Sequence, residues 1–205
     1  AQSALDGLQM MHFVKQHSRE TRLVAHCTGP HGLPSRIIGA ALGNCFSYAQ
    51  APDSNNPAPD CPDVDTMLHL YRIKKLNQHT KVYGLLGDPV HHSIGHFFHN
   101  RQFSAQGSNA VYIKFALKEK DIATFFTNIK GLPFKGFSVT MPLKEKIRHH
   151  LHALEANCQH IGAVNTINLV DGQWHGSNTD GEGAIKAIAT HRPIAHSRVL
   201  IIGAG

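Results

Sequence analysis

The stretch GFSVTMPLKEKI, residues 136–147, passes from an apolar run of β-forming residues into a proline and a charged segment. The apolar residues predict a strand that ends at Thr140, a residue type that often caps helices. Pro142 suits the first turn of a helix, so we expect a helix to begin there. A strand that leads directly into a helix is the repeating unit of α/β sheets, so the stretch predicts an α/β fold.

The residues on either side repeat this alternation of strand and helix. Asp171-Gly172, between two β-rich runs, is a strong signal for a two-residue hairpin. The order β-α-β-α-β-α predicts a sheet with parallel strands and crossover helices. We predict strands within TKVYGLLGDP (residues 80–89), AVYIKFAL (110–117) and FKGFSVT (134–140), and helices over 93–106, 119–130 and GEGAIKAIATH (181–191).

The first 78 residues predict a separate α-β-α-β-α segment. Two strands cannot close a barrel or bury both faces of a sheet, so the segment is expected to be part of a domain. The predicted elements are a helix over 4–17, strand RLVAHC (22–27), helix SRIIGAAL (35–42), strand CFSYAQ (45–50) and helix DVDTMLHLYRIKKL (63–76).

Lys144 is the first candidate for chemistry. If a helix begins at Pro142, Lys144 falls in its first turn, where the helix dipole disfavours a cation. Together with partial burial, that position favours release of a proton and suits the lysine to proton transfer. The alternative is that Lys144 extends into solvent; Lys146 is expected to be an ordinary surface residue in either case.

Three other junctions between predicted elements carry polar residues. In GDPVHHSIGHFFHN (residues 87–100), Ser93 and Gly95 begin a helix, where free amides and a hydroxyl bind anions or the serine simply caps the helix. Asp180 in NTDGEG is an N-cap or a partner for a lysine, and Asn165 in GAVNTI is a turn residue or a donor to a ligand hydroxyl. RVLIIGAG (198–205) predicts a strand and the first half of a dinucleotide-binding turn, or an ordinary strand exit.

Composition narrows the function class. The chain has 205 residues, 41% of them hydrophobic, and no run of the 18 to 20 apolar residues that cross a bilayer, so we expect a globular protein without a membrane partner. Its formal charge of +6 comes from scattered Lys and Arg, which disfavours nucleic acid and suits small anionic substrates and phosphate-bearing cofactors.

Cysteine and histidine usage also limits the possibilities. Four cysteines without C-x-x-C spacing predict reduced thiols in the cytoplasm. The 17 histidines raise a metal hypothesis, which we disfavour because adjacent imidazoles lie on different faces of a helix and most are expected at the surface.

Taken together, the motifs carry a specific resemblance. GDPVxHS, GFSVTxPxK, IGAVNT, GxNTDGxG and VLIIGAG, in this order, resemble the shikimate dehydrogenase family from about residue 81 onward. Before them, GPHGLPSRI and APDCPDVDTMLHLY resemble the C-terminal end of type I 3-dehydroquinate dehydratase. The chain therefore resembles the central piece of the dehydratase/dehydrogenase fusions of plants and some bacteria, and we expect it to belong to a longer protein.

The resemblance implies a fold and an activity. The expected fold is a partial (β/α)8 barrel end over 1–78, an α/β substrate domain over 79–190 and the first strand of a Rossmann domain over 191–205. The expected activity is the NADP-dependent interconversion of 3-dehydroshikimate and shikimate, in aromatic amino acid biosynthesis. Roles implied for individual residues are a proton-transferring pair in Lys144 and Asp180, substrate contacts in Ser93, Thr140 and Asn165, and a cofactor turn in Gly203, Ala204 and Gly205.

Several residues depart from the family patterns. Gly95 replaces a serine and His96 a proline; the lost hydroxyl leaves room for a further ring hydroxyl, so quinate is an alternative substrate. On the dehydratase side Arg36 matches the substrate-carboxylate arginine, but Cys61 stands where that family has glutamine and Pro57 lies near its serine. The lysine and histidine that the family uses for catalysis would lie before Ala1, and the last two strands of a barrel hold no complete site, so we expect no dehydratase activity from this chain. A non-catalytic sensor of the same metabolites is a further alternative.

Overall fold

A mixed β-sheet organises the fold in the computed structural model, which describes residues 1–54, 58 and 60–203. Within these residues the sheet has six strands in the order β2-β1-β3-β5-β6-β4. The strands are β1 Lys81–Gly87, β2 Ala110–Ala116, β3 Phe134–Val139, β4 Ala153–Leu154, β5 Thr166–Val170 and β6 Gln173–Ser177.

Helices connect the strands and precede the sheet. They are α1 Ala4–His17, α2 Leu33–Leu42, α3 Gly95–Ala105, α4 Ile122–Asn128, α5 Ala156–Ile161 and α6 Asp180–Ala189. Short turns of other helix types occur at Thr66–Leu70, Ile73–Lys75, Glu119–Asp121 and Ile147–His150. None of the helices in the described ranges is both long and apolar enough to cross a membrane.

The first three strands confirm the predicted β-α-β-α-β unit. Strand β1 pairs in parallel with β2 and β3, and the crossovers contain α3 and α4. Strand β5 then runs antiparallel to β3 and turns back into β6. Asp171 and Gly172 form the turn with φ values of 49° and 79°, as expected for a two-residue hairpin loop. The ends of β1, β3 and β6 and the start of β5 therefore meet at one edge of the sheet.

A cluster of aromatic side chains packs in the core of the sheet. Phe115, Phe125, Phe134 and Phe137 are each at most 3% exposed, and their ring centroids lie 5.3–6.5 Å apart. Full burial of such a side chain stabilises a fold by roughly 1.5–3 kcal/mol. The same hydrophobic cluster includes Leu8 and Met11 of α1, so the N-terminal segment shares its core with the sheet.

Neither strand predicted for the N-terminal segment forms. Residues 22–27 and 45–50 form no strand, and in the part of the segment that the structure describes there is only an isolated bridge between Gln50 and Asp63. One backbone bond, from Cys45 N to Leu23 O at 2.9 Å, joins the two runs. A β-strand requires a continuous ladder of such bonds, and these residues lack one in the described structure.

The helix predicted to begin at Pro142 is also wrong. Residues 141–146 form turns, and a short 3-10 helix follows at Ile147–His150. The Lys144 carbonyl accepts a hydrogen bond of 2.8 Å from the Val164 amide, a long-range partner. That bond engages an acceptor on which a regular helix would depend, and it holds the turn against the residues before β5.

The predicted helix over residues 63–76 is interrupted. Arg72 has a φ of 52°, a left-handed conformation that separates the two short helical turns. Its guanidinium donates to the backbone carbonyls of Ser108 and Ala110, at 3.3 and 2.6 Å for Nη1 and Nη2 respectively. The hydrogen bonds that Arg72 makes to the start of β2 therefore outweigh the helix propensity of this segment.

The strand predicted near the end of the sequence is absent from the described residues. Val199, Leu200, Ile201 and Ile202 are 68–90% exposed and have no strand assignment. Apolar side chains alone do not make a strand, because the backbone needs a neighbouring strand to pair with. Ala204 and Gly205, predicted to begin the cofactor turn, lie outside the described residues.

Candidate active site

Lys144 and Asp180 form an ion pair at the sheet edge. The Lys144 Nζ atom lies 2.6 Å from Asp180 Oδ2, although the residues are 36 positions apart in the sequence. Lys144 lies in the turns after β3, whereas Asp180 is the first residue of α6. Their side chains are 32% and 56% exposed, so a small molecule can reach the pair and the pair adds little to stability.

The Asp180 carboxylate is bound at both oxygens. Asn165 Nδ2 donates to Oδ1 at 2.7 Å, while Lys144 donates to Oδ2. The hydrogen bond from Lys144 lowers the pKa of Asp180, and together with Asn165 and the charge of Lys144 it outweighs the effect of partial burial. Asp180 is therefore ionised at neutral pH, and both of its oxygens are oriented.

Asn165 joins the ends of three strands. Its carbonyl accepts from Val139 N at 2.7 Å and its amide donates to Ser177 O at 3.1 Å. Its side-chain oxygen accepts from Thr179 N at 3.0 Å, which also fixes the entry to α6. Asn165 is thus a backbone junction whose side chain donates to Asp180, and its contact with a ligand hydroxyl stays a prediction.

Asn178 is a supporting residue that sequence reasoning missed. It is 5% exposed, donates from Nδ2 to Ala163 O at 3.0 Å and accepts at Oδ1 from Asp180 N at 3.0 Å. A buried polar side chain between a strand and a helix needs partners, and this one ties the first residue of α6 to the loop before Asn165. Its position two residues before Asp180 is the signal that could have identified it.

Ser93 lies at the start of α3, as expected. Its Oγ accepts a hydrogen bond of 3.2 Å from the amide of Gly95, the first residue of α3, although the N-cap residue of that helix is Ile94. A Cβ added to Gly95 would lie 3.4 Å from Ser93 Oγ and 3.9 Å from the Tyr112 hydroxyl, and Gly95 does not have a positive φ. A serine at position 95 therefore fits without strain.

Thr140 lies where β1 and β3 come closest at their ends. Its amide donates to Leu86 O at 2.9 Å, and a Cβ on Gly87 would collide with its methyl group. Gly87 therefore permits a close approach that places the half-buried Thr140 beside the start of the loop leading to Ser93. At this edge of the sheet, Lys144 and Asn165 both contact Asp180 directly.

Arg36 forms an ion pair with a different acid, Asp60. It is 3% exposed in α2, and its Nη2 donates to Asp60 Oδ2 at 2.8 Å. Burial opposes ionisation of Asp60, but hydrogen bonds from Arg36 and the backbone and the charge of Arg36 outweigh it and lower the pKa of Asp60. The guanidinium is thus engaged with a buried carboxylate.

The histidine-rich start of α3 has a structural role. His96 is 8% exposed, in contrast to the expected surface position, and the ring of His99 stacks on Tyr112 at 4.3 Å between centroids. No three His, Cys, Asp or Glu side chains in the described part of the chain are grouped so that they could hold a metal ion.

Gly203 is exposed with a φ of 89°, a conformation that glycine adopts readily.

Comparison with known proteins finds two families that match this chain. Residues 85–167 match the shikimate dehydrogenase substrate binding domain, and residues 1–78 match type I 3-dehydroquinase. The chain joins a type I 3-dehydroquinase segment to a shikimate dehydrogenase substrate domain. The resemblance stated from the motifs is confirmed, and the residues that depart from the family patterns lie within these two matched regions.

Two curated proteins are similar to this chain across both matched regions. The shikimate biosynthesis protein AroDE of Chlamydia pneumoniae is 40% identical over 87% of this chain and 38% of its own length. The bifunctional 3-dehydroquinate dehydratase/shikimate dehydrogenase of Arabidopsis thaliana is 32% identical over 98% of this chain and 35% of its own length. The chain thus spans less than half the length of these curated relatives.

A solved structure shares the fold of the dehydrogenase substrate domain. The shikimate 5-dehydrogenase of Listeria monocytogenes, in complex with shikimate and NAD, is 32% identical and has a TM-score of 0.54. The similarity covers 57% of this chain and 40% of the Listeria protein.

Proposed function

We propose that the protein containing this chain is a shikimate dehydrogenase that interconverts 3-dehydroshikimate and shikimate with NADP. The contact of 2.6 Å between Lys144 and the ionised Asp180 is the observation that carries this proposal. A dehydrogenase needs a group that exchanges a proton with the substrate oxygen during hydride transfer. The NADP(+)-dependent shikimate dehydrogenase of Pyrococcus furiosus, 39% identical over 63% of this chain and 48% of its own length, supports the choice of cofactor.

The residues of this chain would divide the acid-base work. When the ketone is reduced, the Lys144 ammonium donates a proton to the oxygen that becomes the hydroxyl group. In the reverse direction the Lys144 amine accepts the hydroxyl proton. Asp180 stays ionised, orients Nζ and stabilises the positive charge. A bound nicotinamide cofactor supplies or accepts the hydride.

The remaining predicted site residues would hold the substrate. We assign the carboxylate to the Ser93 hydroxyl, and ring or carboxylate oxygens to Thr140 and Asn165. Gly203, with its positive φ, fits the first glycine of a turn that approaches a pyrophosphate. We propose that Ala204 and Gly205 continue this turn.

We also propose domain limits of 1–78, 79–190 and 191–205. The free thiols of all four cysteines support a reducing compartment, for which we propose the cytoplasm.

Quinate is a second candidate substrate. The space beside Ser93 that Gly95 leaves open favours it, since a serine Cβ would fill that space. We expect Gly95→Ser to shift the ratio of kcat/KM values toward shikimate by about 10-fold, as for the gain of one hydrogen bond. An unchanged ratio would show that Gly95 does not set the choice between the two acids.

We propose no dehydratase activity for the dehydroquinase segment itself. Arg36, the expected carboxylate-binding residue, is buried with its Nη2 atom 2.8 Å from Asp60 Oδ2, so a substrate carboxylate would have to compete with that acid for the guanidinium. Dehydration of 3-dehydroquinate by the 205-residue chain, followed by absorbance of the enone product, would contradict this.

The test of the main proposal is NADP reduction with shikimate and with quinate by the full-length protein. Lys144→Ala is expected to lower kcat by at least about 100-fold, the usual contribution of a general acid-base group. Lys146→Ala is the matched control, because Lys146 is 56% exposed, 3.5 Å from Glu119, and outside the ion pair. A folded wild-type protein that binds shikimate without turnover would instead support the sensor alternative.

A further inference from the structure

Lys114 of β2 contacts the loop that carries Ser93. Its Nζ lies 3.3 Å from the carbonyl oxygen of His91 and 3.3 Å from that of Ser93. Alternation along β2 places Lys114 on the same face as Tyr112, which stacks on His99 of α3. One ammonium group therefore holds two carbonyls of a single loop, and the second belongs to the residue proposed to bind the substrate carboxylate.

The positive charge of Lys114 is not balanced by a neighbouring acid. Among the described residues no carboxylate lies within 4.0 Å of its Nζ, although Asp88 lines the same cavity of about 420 Å³. Burial lowers the pKa of Lys114, and burial with the charge of Lys114 lowers the pKa of the adjacent His96 to about 4. His96 is thus neutral at pH 7, and Lys114 is the cation that faces the loop from β2.

We propose that Lys114 is a positioning residue for the carboxylate of the substrate, which it serves by fixing the Ser93 loop and by attracting the anion. This inference rests on the proposed function and deepens it. An ammonium group has three N–H donors, and the two carbonyls use two of them. A half-buried charge is screened less than an exposed one, so it acts on an anion bound at the adjacent loop.

Three variants of the full-length protein separate the two contributions. Lys114→Met removes both charge and donors, Lys114→Gln keeps a donor without charge, and Lys114→Arg keeps both. We expect Lys114→Met to raise the KM for shikimate about 10-fold, as for the loss of one charge-assisted hydrogen bond, with kcat within about threefold of wild type. Lys114→Arg should restore most of the affinity. Lys135→Met is the control, because Lys135 is an exposed lysine on β3 and its loss changes the net charge equally.

The outcomes distinguish this inference from the proposed function. An unchanged KM in Lys114→Met, or a fall in Tm and kcat without a change in KM, would overturn the positioning role. If the wild-type protein shows no turnover with NADP, the dehydrogenase proposal fails, and shikimate titration by calorimetry then decides the role of Lys114. Binding that weakens in Lys114→Met but not in Lys135→Met supports it; equal binding, or no binding by wild type, overturns it.

Discussion

The Asp180 carboxylate uses its two oxygens for different partners. One oxygen accepts from Lys144 and the other from Asn165, at 2.6 and 2.7 Å. Because these bonds lower the pKa of Asp180, the carboxylate remains charged throughout the neutral range and the pair needs no pH change to assemble. The sequence predicts the pairing of Asp180 with a lysine as one of two alternatives. The prediction that a helix dipole acts on Lys144 is wrong, because residues 141–146 form turns and the helix that begins at the site is α6.

His96 should make stability depend on pH. Its pKa is lowered to about 4 in the fold, from 6.5, because burial and the charge of Lys114 disfavour the imidazolium. The unfolded chain therefore binds a proton more readily, so His96 favours folding fully above pH 6.5 and this contribution is lost as the pH falls toward 4. Between pH 8 and pH 5 we expect a loss of about 2 kcal/mol in the free energy of unfolding from this residue.

Urea titrations at the two pH values measure that loss. His96→Gln, which does not titrate, should retain a smaller dependence from His26 and His99, whose pKa values are also lowered by burial. Equal pH dependence in wild type and His96→Gln would show that His96 is not buried as a neutral ring.

Among the elements, the local pattern of apolar residues predicts the strands and helices of the sheet core. Contacts between residues distant in the sequence explain where a predicted helix does not form. Strands β1 to β3 and helices α1, α2 and α4 follow apolar periodicity that their packing preserves, whereas α3 and α6 form as predicted but bury no apolar side chain. The turn that carries Lys144 departs from helix because its carbonyl bonds to Val164, and Arg72 departs because its guanidinium bonds to the edge of β2. Neither partner is visible from residues near in sequence, so local propensity could not have revealed these two breaks.

The close approach of β1 and β3 at the site depends on Gly87. A Cβ there would collide with the Thr140 methyl group and lie 3.0 Å from the Met141 carbonyl oxygen, so Gly87→Ala must push the two strand ends apart. We expect a loss of about 1–3 kcal/mol in stability, as for other overpacked positions, and a higher KM for shikimate. Denaturant unfolding and steady-state kinetics measure both.

Gly183→Ala is the matched control for this prediction. A Cβ on Gly183, within α6, meets no atom within 4 Å, so the change should stabilise the helix or be neutral. Similar losses in the two variants would mean that the backbone flexibility of glycine, rather than the contact with Thr140, accounts for the effect.

At the scale of the whole molecule, the dehydroquinase segment packs against the dehydrogenase substrate domain. Leu8 and Met11 of α1 belong to the same buried cluster as the phenylalanines of the sheet. The His12 Nε2 atom also lies 2.7 Å from the carbonyl oxygen of Asn128, the last residue of α4. The motifs separate the chain into two families, but they contain no information on how the two segments pack, because contacts between segments are set by surface shape and not by either motif.

This shared core predicts that the two segments unfold together. Leu8 is fully buried, and Leu8→Ala should cost about 2–5 kcal/mol, the range measured for buried leucines. Because Leu8 belongs to the same buried cluster as residues of the sheet, amide hydrogen exchange should accelerate in β1 and β3 as well as in α1. Phe13→Ala, on the same helix but 46% exposed, should change exchange in neither region. If the loss of protection in Leu8→Ala stopped at residue 78, the segments would be independent folding units that merely touch, and the sheet would owe none of its stability to α1.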